Sequence, residues 1–134
     1  MRIVSDPKWL GLVRTVVEQS CLGFGAQEES ATAVVLAVNE AVANVMRHSY
    51  GGDTTRPIRI ACRGDGEMIE VRICDHGKEA EFLSREILPP DELRVGGRGL
   101  FMIRALMDEI EYRREDGRNR MYLRKHLLRR VGGH

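Results

Sequence analysis

A chain of 134 residues has the length of one domain, and its nearly cancelling charge, 21 basic against 20 acidic residues, offers no overall field for nucleic acid or an anionic membrane. No stretch approaches the roughly 20 apolar residues of a bilayer span, and Met1-Arg2-Ile3-Val4-Ser5-Asp6-Pro7 contains no hydrophobic signal region, so a cytoplasmic protein is expected. Cys21, Cys62 and Cys74 are too widely spaced for a zinc knuckle and odd in number. They are read as reduced, with Cys62 and Cys74 as small buried strand residues.

After a short β-like start, Ser5-Asp6-Pro7 offers an N-cap followed by proline in a first helical turn. Trp9, Leu10, Leu12, Val13, Val16 and Val17 then recur at helical spacing. This predicts a helix from residue 7 to about 22, ended by Gly23 and Gly25. A second helix is expected from about 27 to His48, because Val34, Val38, Ala41 and Val45 form one stripe. Tyr50-Gly51-Gly52-Asp53 is a turn. Residues 58–63 and 68–74 alternate as strands about Gly64-Asp65-Gly66, with Ile69, Val71 and Ile73 on one face, which predicts an antiparallel hairpin.

Residues 75–98 carry Gly77, Pro89, Pro90, Gly96 and Gly97 and little periodicity beyond a short turn at about 79–86, which suits a binding loop or lid. A helix over 99–108 and two strands, 109–115 and 119–127, about Asp116-Gly117 complete the domain. Its core covers about 5–127, and a short frayed tail follows at 131–134.

Three constellations carry chemistry. Glu40, Asn44 and His48 are spaced four apart on the second helix, with Arg47 beside them. Asn44 offers a neutral carbonyl oxygen to a Mg²⁺ that keeps most of its waters, and Glu40 can accept a proton from an attacking hydroxyl. A solvated helix face explains the same spacing. Asp75-His76-Gly77 ends a strand, where a carboxylate can receive an exocyclic amine and the glycine lets a flat ring approach the backbone; an ordinary Asp-Gly turn is the alternative. Gly96-Gly97-Arg98-Gly99 runs into a helix whose free N–H groups favour phosphate, or it is a plain loop before a capped helix. It lacks the G-K-[ST] of a Walker A loop.

In this order and at these intervals the three motifs resemble the N, G1 and G2 boxes of the GHKL (Bergerat-fold) ATPases. Glu40-Ala41-Val42-Ala43-Asn44-Val45-Met46-Arg47-His48-Ser49-Tyr50 is similar to the E-A-V-x-N-x-x-x-H-x-Y stretch of the RsbW and SpoIIAB type anti-sigma-factor serine/threonine kinases. Gly99-Leu100-Phe101-Met102-Ile103-Arg104-Ala105-Leu106-Met107-Asp108 is similar to that family's G-x-x-x-I-x-x-x-M-D segment.

The resemblance implies an α+β two-layer sandwich, a mixed, mostly antiparallel sheet with its helices on one face. It implies ATP and Mg²⁺ as cofactors, Asn44 as the metal ligand, Glu40 as general base, and Asp75 with Gly77 at the adenine. It also implies that Gly97, Arg98, Gly99 and Leu100 border the phosphates, with Arg47 and His48 nearby. The implied reaction is transfer to a serine or threonine of an anti-anti-sigma (STAS-type) partner, together with sequestration of a sigma factor by a homodimer.

Two departures stand out: Glu79 replaces a second glycine after the Asp75 box, and Gly117-Arg118-Asn119-Arg120 replaces a G-x-G-T, with Asn119 in place of the threonine near adenine. The alternative function is a non-catalytic, nucleotide-dependent protein-binding module. A split histidine kinase is not expected, because no phosphoacceptor helix is read before the domain and the second-helix stretch resembles the serine-kinase branch.

Overall fold

The computed structural model describes residues 1–79 and 97–127, with the backbone alone for 97–99. The short turn at about 79–86, most of the expected binding loop, and the tail at 131–134 lie outside the described residues.

In chain order the elements are β1 (Arg2–Val4), a 3-10 turn (Pro7–Trp9), α1 (Leu10–Gly23), α2 (Glu28–Asn44), a π-helical turn (Val45–Ser49), β2 (Pro57–Gly64), β3 (Met68–Asp75), α3 (Gly97–Leu106), β4 (Glu109–Glu115) and β5 (Arg118–His126). The first helix therefore begins as a 3-10 turn. Asp6 caps it by accepting from the Lys8 N–H at 3.0 Å, with Pro7 at the first position, where no amide hydrogen is needed. Gly25, at φ 96°, takes the left-handed conformation that ends α1.

The strands form one sheet in the order β1-β2-β3-β5-β4, and all four pairings are antiparallel. The parallel component that a mixed sheet allows is absent among the described residues. Two of the four pairings, β2–β3 and β4–β5, are hairpins, while β1–β2 and β3–β5 join strands separated by helices. Asp65 accepts from the Glu67 and Met68 amides at 2.9 Å to close the β2–β3 turn. Asp116 and Gly117, both at positive φ, form the two-residue β4–β5 turn whose twist matches the flanking strands.

Period-two alternation then sorts the sheet into two faces. Ile58 and Ile60, Ile69, Val71 and Ile73, and Met121 and Leu123 are all buried against the helices. The helices answer with Val13 and Val17 of α1, Val34, Val38 and Ala41 of α2, and Ile103 of α3. Small residues at Ala37 and Ala41 let α2 lie close to its neighbours. The opposite face carries Arg59, Arg72, Arg120, Tyr122 and Arg124, exposed or half-buried. The architecture is thus the expected two-layer α+β sandwich with all helices on one face.

The cysteines correct one expectation. Cys21 is fully buried, and burial pushes its thiol up to about 12, which leaves it inert. Cys62 and Cys74 are free but only half-buried, because Cys74 pairs with Arg59 on the uncovered face and Cys62 sits near the end of its strand.

Candidate functional site

The C-terminal end of α2 does not continue as an α-helix. It widens into a π-turn at Val45, where the Tyr50 N–H donates to the Val45 carbonyl at 2.9 Å. Such turns displace the following side chains from α-helical register and are frequent at functional sites. Asn44, the last α-helical residue, is 7% exposed. Its Oδ1 accepts from Arg47 Nη2 at 2.8 Å, and the same nitrogen reaches Glu40 Oε1 at 3.2 Å. The three side chains therefore form one cluster, of which Asn44 alone lines the pocket described below, with Arg47 more exposed than Glu40.

Across from this cluster stands Asp75 at the end of β3, 4% exposed. Its Oδ1 accepts from the Gly77 N–H at 2.8 Å and from Asn119 Nδ2 at 2.9 Å. Oδ2 receives no hydrogen bond from any described residue. Burial raises the Asp75 carboxyl above its ordinary value, and the Asn119 and Gly77 donors oppose that shift.

Asn119 is 2% exposed and braces the whole corner. Besides Asp75, its Nδ2 donates to the Lys78 carbonyl at 2.8 Å and the Gly77 carbonyl at 3.3 Å. Its Oδ1 accepts from the Tyr112 hydroxyl at 2.6 Å and Arg114 Nη1 at 2.7 Å. Both ends of the amide are spent inside the protein, so Asn119 positions Asp75 from behind. The β3–β5 register, Asp75 opposite Asn119, fixes that pairing.

Gly77 also has a reason within the fold itself. A Cβ there would clash with the Ser49 carbonyl oxygen and lie 2.6 Å from its carbon, while the Lys78 N–H donates to that same oxygen at 2.8 Å. The close approach is to the end of the π-turn, so the glycine locks the Asp75 corner onto α2. Tyr50 adds a second lock: its hydroxyl donates to the Pro57 carbonyl at 2.5 Å and accepts from the His76 N–H at 2.9 Å. Sequence reading missed Tyr50 as a brace and Tyr112 as a pocket residue. Their signal, a tyrosine whose hydroxyl needs a partner when its ring packs, does not name that partner.

Between these walls lies a pocket lined by Asn44, His48, Ser49 and Asp75, with Asn119 and Tyr112 at its β4–β5 side and Ala41, Ile73 and Met121 as its apolar floor. The α2 motif and the Asp75 motif are thereby brought together. Gly97, Arg98 and Gly99 fall in the first turn of α3, two residues earlier than the expected start. Their N–H groups and that of Leu100 are the four a helix leaves unpaired. The Leu100 side chain is buried, so only its backbone is available to a ligand. The Arg98 side chain and Gly96 lie outside the described residues.

An apolar floor ending at a buried carboxylate with one open oxygen suits a flat ring bearing an amine. Asn44 Oδ1 already holds a cationic group, and no cluster of three acidic, cysteine or histidine ligands exists among the described residues. That donor set suits a metal held mainly by water and phosphate.

Residues 3–125 match the family model described as histidine kinase-like ATPase domain. Serine-protein kinase RsbW of Oceanobacillus iheyensis is 31% identical over 125 residues, covering 87% of this chain and 79% of that protein. Serine-protein kinase RsbW of Bacillus subtilis is 26% identical, covering 87% and 78%. The crystal structure of the RsbU and RsbW domains of Rv1364c from Mycobacterium tuberculosis aligns with a TM-score of 0.66 at 21% identity, over 96% of this chain and 32% of that one. This chain thus spans about a third of that longer protein. The SiaB–SiaC complex from Pseudomonas aeruginosa gives 0.65 at 15% identity, over 95% and 88%. Both structures speak for the fold.

Proposed function

The chain belongs to the histidine kinase-like ATPase domain family, and from that membership we propose that it is an ATP- and Mg²⁺-dependent serine/threonine protein kinase of a partner-switching system. Its substrate is a serine or threonine of an anti-anti-sigma (STAS-type) protein, and it also sequesters a sigma factor as a cytoplasmic homodimer. The names of the curated relatives, serine-protein kinases, support the reaction type.

The observation that carries the nucleotide reading is the asymmetric Asp75 carboxylate, one oxygen saturated by Gly77 and Asn119 and the other open to an apolar pocket. When bound, Mg·ATP supplies the transferable phosphoryl group and the metal's charge neutralisation. Asp75 Oδ2 accepts the adenine amine. Asn44 Oδ1 holds the metal, the first turn of α3 presents its N–H groups to phosphate oxygens, and His48 borders the same pocket. Glu40 takes the proton from the partner's hydroxyl.

A second reading is favoured by one observation: Arg47 already engages the Glu40 carboxylate. If it stays there, the domain binds nucleotide without transferring phosphate and works by nucleotide-dependent partner affinity. One experiment separates the two. The purified chain, Mg·ATP and a STAS-type partner from the same genome are incubated and the partner is analysed by mass spectrometry. Phosphoserine or phosphothreonine on the partner supports the kinase; nucleotide binding with no transfer supports the module.

A further inference from the structure

The uncovered face of the sheet has two halves of different character. Near the β2–β3 turn, acids and bases are matched: Glu70 pairs with Arg63 at 3.0 Å and Arg124 at 2.8 Å, and Arg124 reaches Glu111 at 3.1 Å. At the other end the bases outnumber the acids: Glu115 of β4 stands in register with Arg118 but makes no ion pair with it among the described residues. Cys74 lies in register between Arg59 of β2 and Arg120 of β5. Arg72 is two residues before it on the same face, and Arg118 is two residues before Arg120. Strand geometry puts all four backbones within about 5 to 8 Å of Cys74.

Among the described residues, none of Arg59, Arg72, Arg118 and Arg120 takes part in an ion pair or side-chain hydrogen bond. With exposed His76 they surround a concave pocket floored by the small side chains of Ala61 and Cys74. The one carboxylate touching that pocket is Asp75, which is buried and has its Oδ1 committed to Gly77 and Asn119. Four unpaired guanidinium groups around one depression repel each other unless an anion sits among them.

We propose that this ring is a second anion site, on the opposite face of the sheet from the helix-covered pocket, for a compact phosphate-class polyanion. The ligand is either a free linked phosphate or the phosphate chain of a nucleotide. Guanidinium forks match phosphate oxygens two at a time, and linked phosphates bring several charges in one small body, where a carboxylate brings one. The bases form a closed ring around a small floor, and this suits a compact anion better than an extended acidic chain. The site stands independently of the kinase assignment.

The test is a titration of the isotope-labelled chain with pyrophosphate in the absence of Mg²⁺, following the arginine Nε–Hε signals by NMR. The signals of Arg59, Arg72, Arg118 and Arg120 are expected to shift together and saturate. In the Arg72→Gln/Arg120→Gln double variant the affinity falls at least tenfold, while Arg63→Gln, at the paired end of the same face, leaves it unchanged.

Repeating the titration with ADP identifies the source: a larger affinity than pyrophosphate at the same four signals assigns a nucleotide, an equal or smaller one a free linked phosphate. The proposal is overturned if none of the four arginine signals moves at millimolar pyrophosphate, or if, with the backbone amides followed in the same samples, the shifts are confined to Asn44, Asp75 and the first turn of α3. Sulfate binding as well as pyrophosphate would reduce the ring to a screened counter-ion cloud, and a hexaglutamate peptide binding more tightly would make it a protein-docking face.

Discussion

Arg47 Nη2 lies 2.8 Å from Asn44 Oδ1, so a guanidinium holds the carbonyl oxygen proposed for the metal. The same group bridges to Glu40. Because the Arg47 side chain is more than half exposed, the pair contributes little to folding, about 0 to 1 kcal/mol. Arg47→Ala is therefore expected to leave Tm nearly unchanged and to tighten Mg²⁺-dependent binding of a non-hydrolysable ATP analogue several-fold, because a competing cation is gone. Calorimetry with and without Mg²⁺ checks it. A several-fold loss would instead make Arg47 a phosphate contact.

Asp75 carries a conflict between stability and recognition. Burial raises its carboxyl above the ordinary value, so the folded protein holds that proton more tightly than the unfolded chain. The contribution of this group to stability is then largest below the unfolded value, declines as pH rises through the window up to the raised folded value, and stays at its low level above it. Asp75→Asn keeps an acceptor for Gly77 and Asn119 without the charge. It is expected to raise Tm by a few degrees at neutral pH, an advantage that shrinks as pH falls through the carboxylate range. Nucleotide affinity should drop more than tenfold, since an amide N–H would face the adenine amine. Thermal melts across pH and calorimetry on one preparation test both halves.

Much of this architecture is legible in the residues themselves. The alternation at Ile69, Val71 and Ile73, the four-three-four stripe on α2 and the Asp116-Gly117 turn each follow from local geometry that a period or a dipeptide reveals. What stays hidden is set by partners distant in the chain. Asn119 meets Asp75 across 44 positions, and Ser49 meets Gly77 only because the π-turn redirects the chain after Asn44. Uniform four-residue spacing cannot announce that turn. Nor does the composition around Cys74 reveal that both of its cross-strand partners are arginines.

Gly77→Ala tests the lock between β3 and α2. The new methyl meets backbone, which cannot rotate away, so overpacking of about 1 to 3 kcal/mol is expected, with partial loss of the Lys78 to Ser49 hydrogen bond. The fall in Tm should be accompanied by faster amide exchange at Lys78 and weaker nucleotide binding. Wild-type Tm in this variant would show that the corner is not closed as described.

Asn119→Ala removes one side chain that serves five groups at once. Asp75 Oδ1, the Gly77 and Lys78 carbonyls, the Tyr112 hydroxyl and Arg114 each lose a partner. Each buried group left unpaired costs about 1 to 3 kcal/mol, and water entering the gap recovers part of it, so a net loss above about 2 kcal/mol is expected. Asn119→Asp separates bracing from charge, because it keeps the acceptor for Tyr112 and Arg114 but sets a second carboxylate against Asp75. It should be the more damaging variant at neutral pH and recover as the pH falls and one of the two carboxyls is protonated. Chemical denaturation at pH 5 and pH 8 decides it: equal stability of the two variants at both pH values would mean that Asn119 does not hold Asp75 through the bond described.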